Sequence, residues 1–181
     1  DTGENTISLH VDSNDAYACV DVNITANNDV STVDPETDAG DATEDAGNAF
    51  DGELAQNLEF FAWADTGAVA GFQGNDPLEG DNIWQANEVP LFSNGSGPAS
   101  DVLGGKTYTL ANSVTGALAG NTTSYIGLAW CAGTINATVP GTITCNGATM
   151  GNEAQTDSME ATIAFRVEQS RNNPNFSCTP R

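Results

Sequence analysis

The chain has 181 residues, of which 39% are hydrophobic, so it can form one domain of ordinary size with a substantial apolar core. It carries 25 acidic and four basic side chains, and its formal net charge at pH 7 is −21. Because nucleic acids and anionic lipids are bound through Lys and Arg, this charge argues against both kinds of partner. No stretch approaches the roughly 18 apolar residues that a membrane span needs.

Short apolar runs, most of them alternating with polar residues, predict β-strands. In chain order these runs lie at residues 5–12, 20–24, 58–63, 107–110, 125–130, 135–143 and 159–167. The sixth run contains Pro140-Gly141, a turn signal, and is expected to be a hairpin. In the last run, the odd-numbered apolar residues from Met159 to Val167 should face the core. Short helices are expected within residues 48–58 and 150–159. Many short strands separated by Gly, Asn, Asp and Pro indicate an all-β fold, either a β-sandwich or a jelly roll.

Residues 27–53 form an acidic segment with nine acidic side chains and no basic one. The preferred interpretation is a mobile loop in solvent, because like charges repel and few apolar residues are available to pack. The alternative is a surface that binds cations or the basic patch of a partner. The acidity of the whole chain has two similar interpretations: solubility, as in halophilic and surface-layer proteins, or cation binding.

The four cysteines contain no CxxC pair, a spacing that is typical of two disulfides and not of a zinc site. Four cysteines permit three connectivities. Cys131 and Cys145 flank the predicted hairpin, so we expect them to form one bridge. Cys19 and Cys178, which lie near opposite ends of the chain, would then form the other.

Sequons of the type Asn-X-Ser/Thr and paired cysteines both indicate an extracellular protein. The candidate glycosylation sites are Asn23, Asn94, Asn121, Asn136 and Asn175. The chain starts at Asp1 without an initiator Met. Asp1 is therefore expected to be either a mature N-terminus left after removal of a signal peptide or an artificial boundary.

A loop rich in oxygen ligands is a candidate calcium site. Ca²⁺ takes about six to eight oxygens from carboxylates, amides and backbone carbonyls. The candidate ligands are Asp65, Asp81, Asn87 and Glu88 through their side chains and Ile83 through its carbonyl. Because their spacing does not match the EF-hand template, a polar turn without a metal is the alternative. Calcium is the one cofactor considered, and the fold is not expected to require it.

The sequence lacks the common catalytic motifs. His10 is the one histidine, so a Ser-His-Asp triad would depend on it, and neither an HExxH motif nor a three-histidine zinc site is available. We therefore expect no enzyme activity. Trp63, Trp84 and Trp130 are a candidate aromatic platform for carbohydrate binding, although tryptophans more often pack in a core.

Five segments share a pattern with one family of proteins. They are 58–65 (LEFFAWAD), 90–94 (PLFSN), 99–108 (ASDVLGGKTY), 118–131 (LAGNTTSYIGLAWC) and 158–178. Together they resemble the TasA/camelysin family of secreted prokaryotic proteins, including its archaeal bundling-pilus subunits. The resemblance implies a jelly-roll subunit that is exported, loses its signal peptide and polymerises into extracellular matrix fibres or pili. In family members that form ordered fibres, an N-terminal strand of one subunit completes the sheet of the next.

Two features depart from the family pattern. The acidic segment 27–53 replaces a more compact connection, and residues 66–80 look like an insertion. The metalloprotease label attached to camelysin is not carried over, because this chain has no recognisable zinc-binding constellation.

Residues 5–12 have the form of a donated strand, because apolar and polar residues alternate there at the start of the chain. We expect residues 1–12 to be the donor strand and residues 13–181 to be a TasA-like jelly-roll domain. Ile7, Leu9 and Val11 would fill pockets in the neighbouring subunit while the main chain completes its sheet. The alternative is that this strand pairs within its own sheet.

The sequence thus predicts a structural subunit of an extracellular filament, with identical subunits as partners and attached glycans as an option. The alternative function is that of a secreted β-sandwich module that binds carbohydrate or a surface.

Overall fold

The computed structural model describes residues 1–41, 43–93 and 95–180. Strands make up 44% of the structure and helices 10%, and the strands form antiparallel sheets. The fold is thus mostly β, as predicted, and the jelly-roll topology stays a prediction. The described residues form no closed barrel. None of their helices is both long and apolar enough to cross a membrane.

Strands and three short helices follow one another along the described residues. In chain order they are β1 (Thr2–Val11), β2 (Ala16–Asn28), α1 (Asp34–Ala39), α2 (Leu54–Asn57), β3 (Leu58–Ala64), β4 (Val89–Pro90), β5 (Ser96–Pro98), α3 (Ala99–Val102), β6 (Lys106–Ala111), β7 (Thr122–Ala132), β8 (Thr134–Val139), β9 (Thr142–Asn146) and β10 (Ser158–Gln169). A 3-10 turn over Gly147–Thr149 follows β9. Each predicted strand segment coincides largely with a strand. Residues 48–58 contain α2, whereas residues 150–159 contain no helix.

The described residues form three antiparallel sheets. In the first sheet the strands lie in the order β1-β7-β3-β4, and β5 also pairs with β3. The second sheet has the order β10-β2-β6, and β8 and β9 form a separate hairpin. Consequently β1 is an edge strand of the first sheet and β10 is an edge strand of the second.

The two larger sheets pack around one main core. Its buried strand residues are Val20 and Val22 of β2, Tyr108 of β6, Phe60 and Ala62 of β3 and Ile126 of β7. These residues alternate with others along each strand, because successive side chains of a strand point to opposite faces. The Tyr108 hydroxyl donates to the carbonyl of Val102 at 2.8 Å, so the polar end of this buried ring is satisfied.

β3 is buried on both faces, which explains its continuous apolar sequence. Phe60 faces the main core, whereas Phe61 and Trp63 belong to a second cluster that includes residues of the β8–β9 hairpin. Gly127 on β7 lies against the Trp63 indole, and a Cβ atom there would lie 2.2 Å from the ring. Only glycine lets the indole lie this close to the strand.

The burial of the apolar side chains of β10 differs from the prediction. Met159 and Phe165 pack against the main core, but Ile163 is 41% exposed and Val167 is 54% exposed. Ala161 is exposed as well. The reason is that β10 lies at the edge of the three-stranded sheet. It has β2 as a neighbour on one side and no described strand on the other, so fewer side chains cover it. Ala161, Ile163 and Val167 therefore form an exposed apolar strip, called the β10 strip below.

The acidic segment 27–53 is not exposed along its whole length, so the preferred interpretation of a solvated loop is wrong for part of it. Helix α1 begins with Pro35 in its first turn, where the missing N–H of proline costs no helical hydrogen bond. The Glu36 carboxylate accepts the N–H of Val33 at 2.7 Å at the start of this helix. Glu36 is 0% exposed and Asp29 is 2% exposed. The segment thus buries two carboxylates.

Two disulfides join Cys19 to Cys178 and Cys131 to Cys145, with Cα–Cα distances of 5.6 and 5.4 Å. This is the pairing expected from the sequence. The first bridge ties the end of the chain to β2, where Phe176 also stacks on Tyr17 with a centroid distance of 5.3 Å. Two disulfides indicate folding in an oxidising compartment.

Candidate functional site

Strand β1 is the predicted donor strand, and in the single chain it pairs with β7. The antiparallel register runs from Thr2 opposite Cys131 to Val11 opposite Thr122. Ile7 and Leu9 are half-buried and pack against the main core. Val11 packs against a third cluster, made of Ala18, Ala111 and Leu118. All three predicted pocket-filling residues thus contact apolar clusters, but they do so within their own subunit. In the single chain, β1 therefore pairs within its own sheet, which is the alternative to strand donation.

Contacts beyond the ladder hold β1 in one register. The Thr2 hydroxyl donates to the carbonyl of Trp130 at 2.8 Å, and the N–H of Ala132 donates to the carbonyl of Asp1 at 2.8 Å. Gly3 lies directly against the Trp130 indole, and a Cβ atom on Gly3 would lie 2.0 Å from the ring. The half-buried tryptophan therefore requires glycine at this point of the partner strand.

The surroundings of β1 are apolar on its inner side. Ile7 lines a cavity of about 100 Å³ between the two sheets, together with Ile126 of β7 and Ala161 and Ile163 of β10. The cavity thus reaches from the inner side of β1 to the β10 strip. His10 lies on the outer side, exposed, with its ring Nδ1 3.2 Å from the Thr123 hydroxyl.

The predicted calcium loop is built on two buried carboxylates. Asp65 is 0% exposed and Glu88 is 7% exposed. The Asp65 carboxylate accepts the N–H groups of Gly80 at 3.1 Å and Asn82 at 2.8 Å. The Glu88 carboxylate accepts N–H groups as well, from Gly67 at 2.8 Å and from Gln85 at 2.7 Å. These two side chains hold the inserted segment against the end of β3.

The remaining predicted ligands have other partners. The Asp81 carboxylate accepts the N–H of Ile83 at 2.9 Å and the side-chain amide of Gln85 at 3.0 Å. The Asn87 amide donates to the carbonyl of Ala68 at 2.7 Å. The structure therefore brings Asp65, Asp81 and Glu88 close together but uses their oxygens to accept N–H groups. This arrangement favours the polar turn, and calcium binding at this loop stays a prediction.

Asp65 and Glu88 form a pair of buried carboxyl groups whose pKa values are both raised. Burial raises the pKa of Asp65, although the N–H groups that its oxygens accept oppose the rise. Burial also raises the pKa of Glu88, to about 7, and the nearby Asp65 charge adds to this rise. The folded protein therefore keeps a proton on the pair at pH values where an exposed glutamate has lost it.

The protonated pair should make stability depend on pH. The folded pKa of Glu88, about 7, lies above its ordinary value of 4.5. Below pH 4.5 this group contributes no further pH dependence, and between 4.5 and 7 the folded state binds a proton that the unfolded state lacks. We expect the contribution of Glu88 to the free energy of unfolding to fall across this window, by roughly 1–3 kcal/mol in total.

Urea unfolding at pH 5, 6, 7 and 8 measures this dependence for the wild type, Glu88→Gln and, as a control, Asp38→Asn. Asp38 is an exposed acid on α1. The Glu88→Gln curve should be flatter than the wild-type curve, while Asp38→Asn should run parallel to it. Because burial also raises the pKa of Glu53 to about 7, some slope remains in Glu88→Gln. Equal slopes in all three proteins would refute the assignment.

The candidate tryptophan platform is not formed at the surface. Trp63 is 0% exposed and Trp84 is 7% exposed, and both belong to the second apolar cluster. Trp130 is half-buried against Gly3. The three indoles therefore serve packing.

Four of the five sequons can be located in the structure. Asn23, Asn121, Asn136 and Asn175 are exposed, so a glycan attached to any of them would reach solvent. Asn94 lies outside the described residues.

Neither the burial of Asp29 and Glu36 nor the exposure of the β10 strip was predicted from the sequence. The density of acidic residues in segment 27–53 was the one available signal for the buried carboxylates, and it does not distinguish buried carboxylates from solvated ones.

Comparisons with protein-family models, with curated proteins and with solved structures gave no match to this chain.

Proposed function

We propose that the chain is a structural subunit of an extracellular filament, in which β1 of each subunit pairs with β7 of the next. The subunit is a jelly-roll-like β-sandwich, and its role is structural and not catalytic. The observation that carries the proposal is the placement of β1. It is an edge strand, and its alternate side chains enter an apolar core. It is joined to β2 by residues 12–15 alone.

Exchange of β1 between subunits would reproduce contacts that already exist within one. The ladder with β7, the packing of Ile7 and Leu9 and the position of Gly3 against Trp130 can all form between two chains. The link over residues 12–15 has only to redirect β1 away from its own subunit. A head-to-tail contact of this kind does not close on itself and so extends into a filament.

The surface beside β1 also supports a contact between subunits. The β10 strip leaves Ile163 and Val167 about half exposed on an edge strand, next to the cavity that Ile7 lines. Exposed apolar side chains that lie together on an edge strand attract a partner. We infer that a neighbouring copy of this chain covers the strip in the filament.

The disulfides and the glycosylation sequons indicate where the filament is located. Two disulfides require an oxidising environment, and four exposed sequons are accessible to glycosylation. We therefore propose that the chain is exported, that its signal peptide is removed and that it acts at the cell surface. The resemblance to the TasA/camelysin family supports the same function.

Two charge substitutions on opposite faces of β1 test the filament. Leu9→Asp places a carboxylate in the apolar core position, whereas Ser8→Asp places the same group on the exposed face of the strand. In negative-stain electron microscopy, the wild type and Ser8→Asp should form filaments and Leu9→Asp should not.

Circular dichroism of the three proteins separates assembly from folding. Leu9→Asp should keep the β spectrum of the wild type, because the remaining strands retain their pairing. Monodisperse particles in all three samples would refute the filament and make a secreted surface-binding module the better candidate.

A further inference from the structure

A second group of carboxylates lies where the acidic segment folds over the ends of β2 and β10. One oxygen each from Asp29, Glu36 and Asp41 lies within 4.8 Å of the others. The charges of Asp41, Asp157 and Asp29 also act on Glu53, so five acidic side chains surround this point. The five residues are called the carboxylate cluster below. It is separate in sequence from the loop formed by Asp65 and Glu88.

The fold positions these carboxylates through fixed hydrogen bonds. The Glu36 carboxylate accepts the N–H of Val33 at 2.7 Å and the N–H of Thr156 at 2.7 Å. One oxygen of Asp157 accepts the N–H of Leu54 at 2.8 Å. One oxygen of Asp29 accepts the Thr32 hydroxyl at 3.2 Å. Backbone N–H groups distant in sequence therefore hold Glu36 and Asp157 in place, and a local hydroxyl holds Asp29.

Four oxygens of the cluster have no hydrogen-bond donor among the described residues. Among the described residues, Asp29 Oδ1, Asp41 Oδ2, Glu53 Oε2 and Asp157 Oδ1 are buried and accept no hydrogen bond. Asp29 is the clearest case, because its side chain is 2% exposed. A buried carboxylate oxygen without a donor or a cation is costly. Four such oxygens in one place point to a positively charged ligand.

No basic side chain supplies that charge within the described part of the chain. The ion pair recorded there joins Arg166 to Asp21, at 3.1 Å. The like charges of the cluster repel one another, and a bound cation would relieve this repulsion.

We propose that the carboxylate cluster binds one calcium ion. Oxygens bound to Ca²⁺ at about 2.3–2.6 Å lie at most about 5 Å apart, and the three oxygens of Asp29, Glu36 and Asp41 satisfy this limit. The donor set contains oxygen alone, which matches calcium and not zinc or copper. Magnesium binds less well, because it demands a smaller octahedral shell and retains several waters.

The ion would join three parts of the chain. Asp29 follows β2, Glu36 and Asp41 belong to the region of α1, and Asp157 precedes β10. A calcium ion bound to all of them would fasten the acidic segment to the ends of two neighbouring strands. Calcium binding should therefore raise thermal stability as well as neutralise charge.

Calorimetry of the full chain tests the site. Chelator-treated protein is titrated with CaCl₂ in about 0.5 M NaCl, which screens weak attraction to the acidic surface. We expect one saturable site, a rise in melting temperature at about 1 mM CaCl₂, and binding of MgCl₂ that is at least ~10-fold weaker.

Matched substitutions locate the site. Asp29→Asn removes a buried charge of the cluster with little change of shape and should weaken calcium binding at least ~10-fold. Asp38→Asn removes an exposed charge of α1, and Asp81→Asn removes a charge of the other candidate loop; both should bind calcium as the wild type does. If Asp29→Asn fails to fold, Asp41→Asn, which lies at the half-buried side of the cluster, takes its place with the same expectation.

Three results would overturn the proposal. The first is no saturable calcium binding by the wild type. The second is equal loss of affinity in Asp29→Asn and Asp38→Asn, which would indicate attraction to the surface alone. The third is loss of binding in Asp81→Asn with retention in Asp29→Asn, which would assign the ion to the Asp65–Glu88 loop. None of these outcomes depends on whether the chain forms filaments.

Discussion

Removal of residues 1–12 is expected to abolish filament formation and to leave a folded, soluble chain. The deletion takes away β1 and so opens the edge of β7, but it leaves the pairing of β7 with β3 and the whole β10-β2-β6 sheet intact. Without a strand to donate, no subunit can complete the sheet of the next. Electron microscopy and size-exclusion chromatography of the truncated chain measure this result.

A synthetic peptide of residues 1–12 provides the control. It should bind the truncated chain one to one, because its main chain can pair with the open edge of β7 and its apolar side chains can enter the core. A peptide in which Ser replaces Ile7 and Leu9 should not bind. Filaments that persist after the deletion would refute the proposed exchange of β1.

Loss of the Cys19–Cys178 bridge is expected to destabilise the fold more than loss of the Cys131–Cys145 bridge. The first closes a sequence separation of 159 residues and the second a separation of 14. In the loop-entropy model these separations correspond to about 5 and about 3 kcal/mol of the free energy of unfolding. Replacement of both cysteines of one bridge by Ala, followed by urea unfolding, measures each contribution.

The two double variants serve as controls for each other, because each removes one buried cysteine and one less buried cysteine. The C-terminal tail should also detach in the Cys19/Cys178 variant, which limited proteolysis near Phe176 would detect. A larger loss of stability in the Cys131/Cys145 variant would contradict the loop-entropy explanation.

Local patterns predicted most of the strands. Alternation identified β1, β2, β8 and β10, and the Pro140-Gly141 turn identified the hairpin of β8 and β9. The signal was strong in these places because apolar and polar residues alternate along the strand, although on β10 the apolar face is partly exposed. By contrast, Val89–Pro90 and Ser96–Pro98 are too short to show any periodicity. Their strand state follows from their position beside β3.

Burial that depends on distant neighbours could not be predicted from the sequence. Glu36 can be buried because the N–H of Thr156, far along the chain, donates to its carboxylate and so satisfies it. Ile163 is exposed because its strand lies at a sheet edge. In the same way, the alternation of Ile7 and Leu9 predicts a strand with one apolar face but does not specify which copy of β7 it joins, since any open edge offers the same N–H and C=O groups.

The contact between Gly3 and Trp130 has a consequence for the shape of the proposed filament. A slip of the ladder by two residues would keep every side chain on its face but would place Asp1 or Asn5 against the indole. Either residue brings a Cβ atom into the space that the ring occupies, as a Cβ on Gly3 would. One axial spacing between successive subunits is therefore allowed, and the polymer would have a uniform helical repeat along its length.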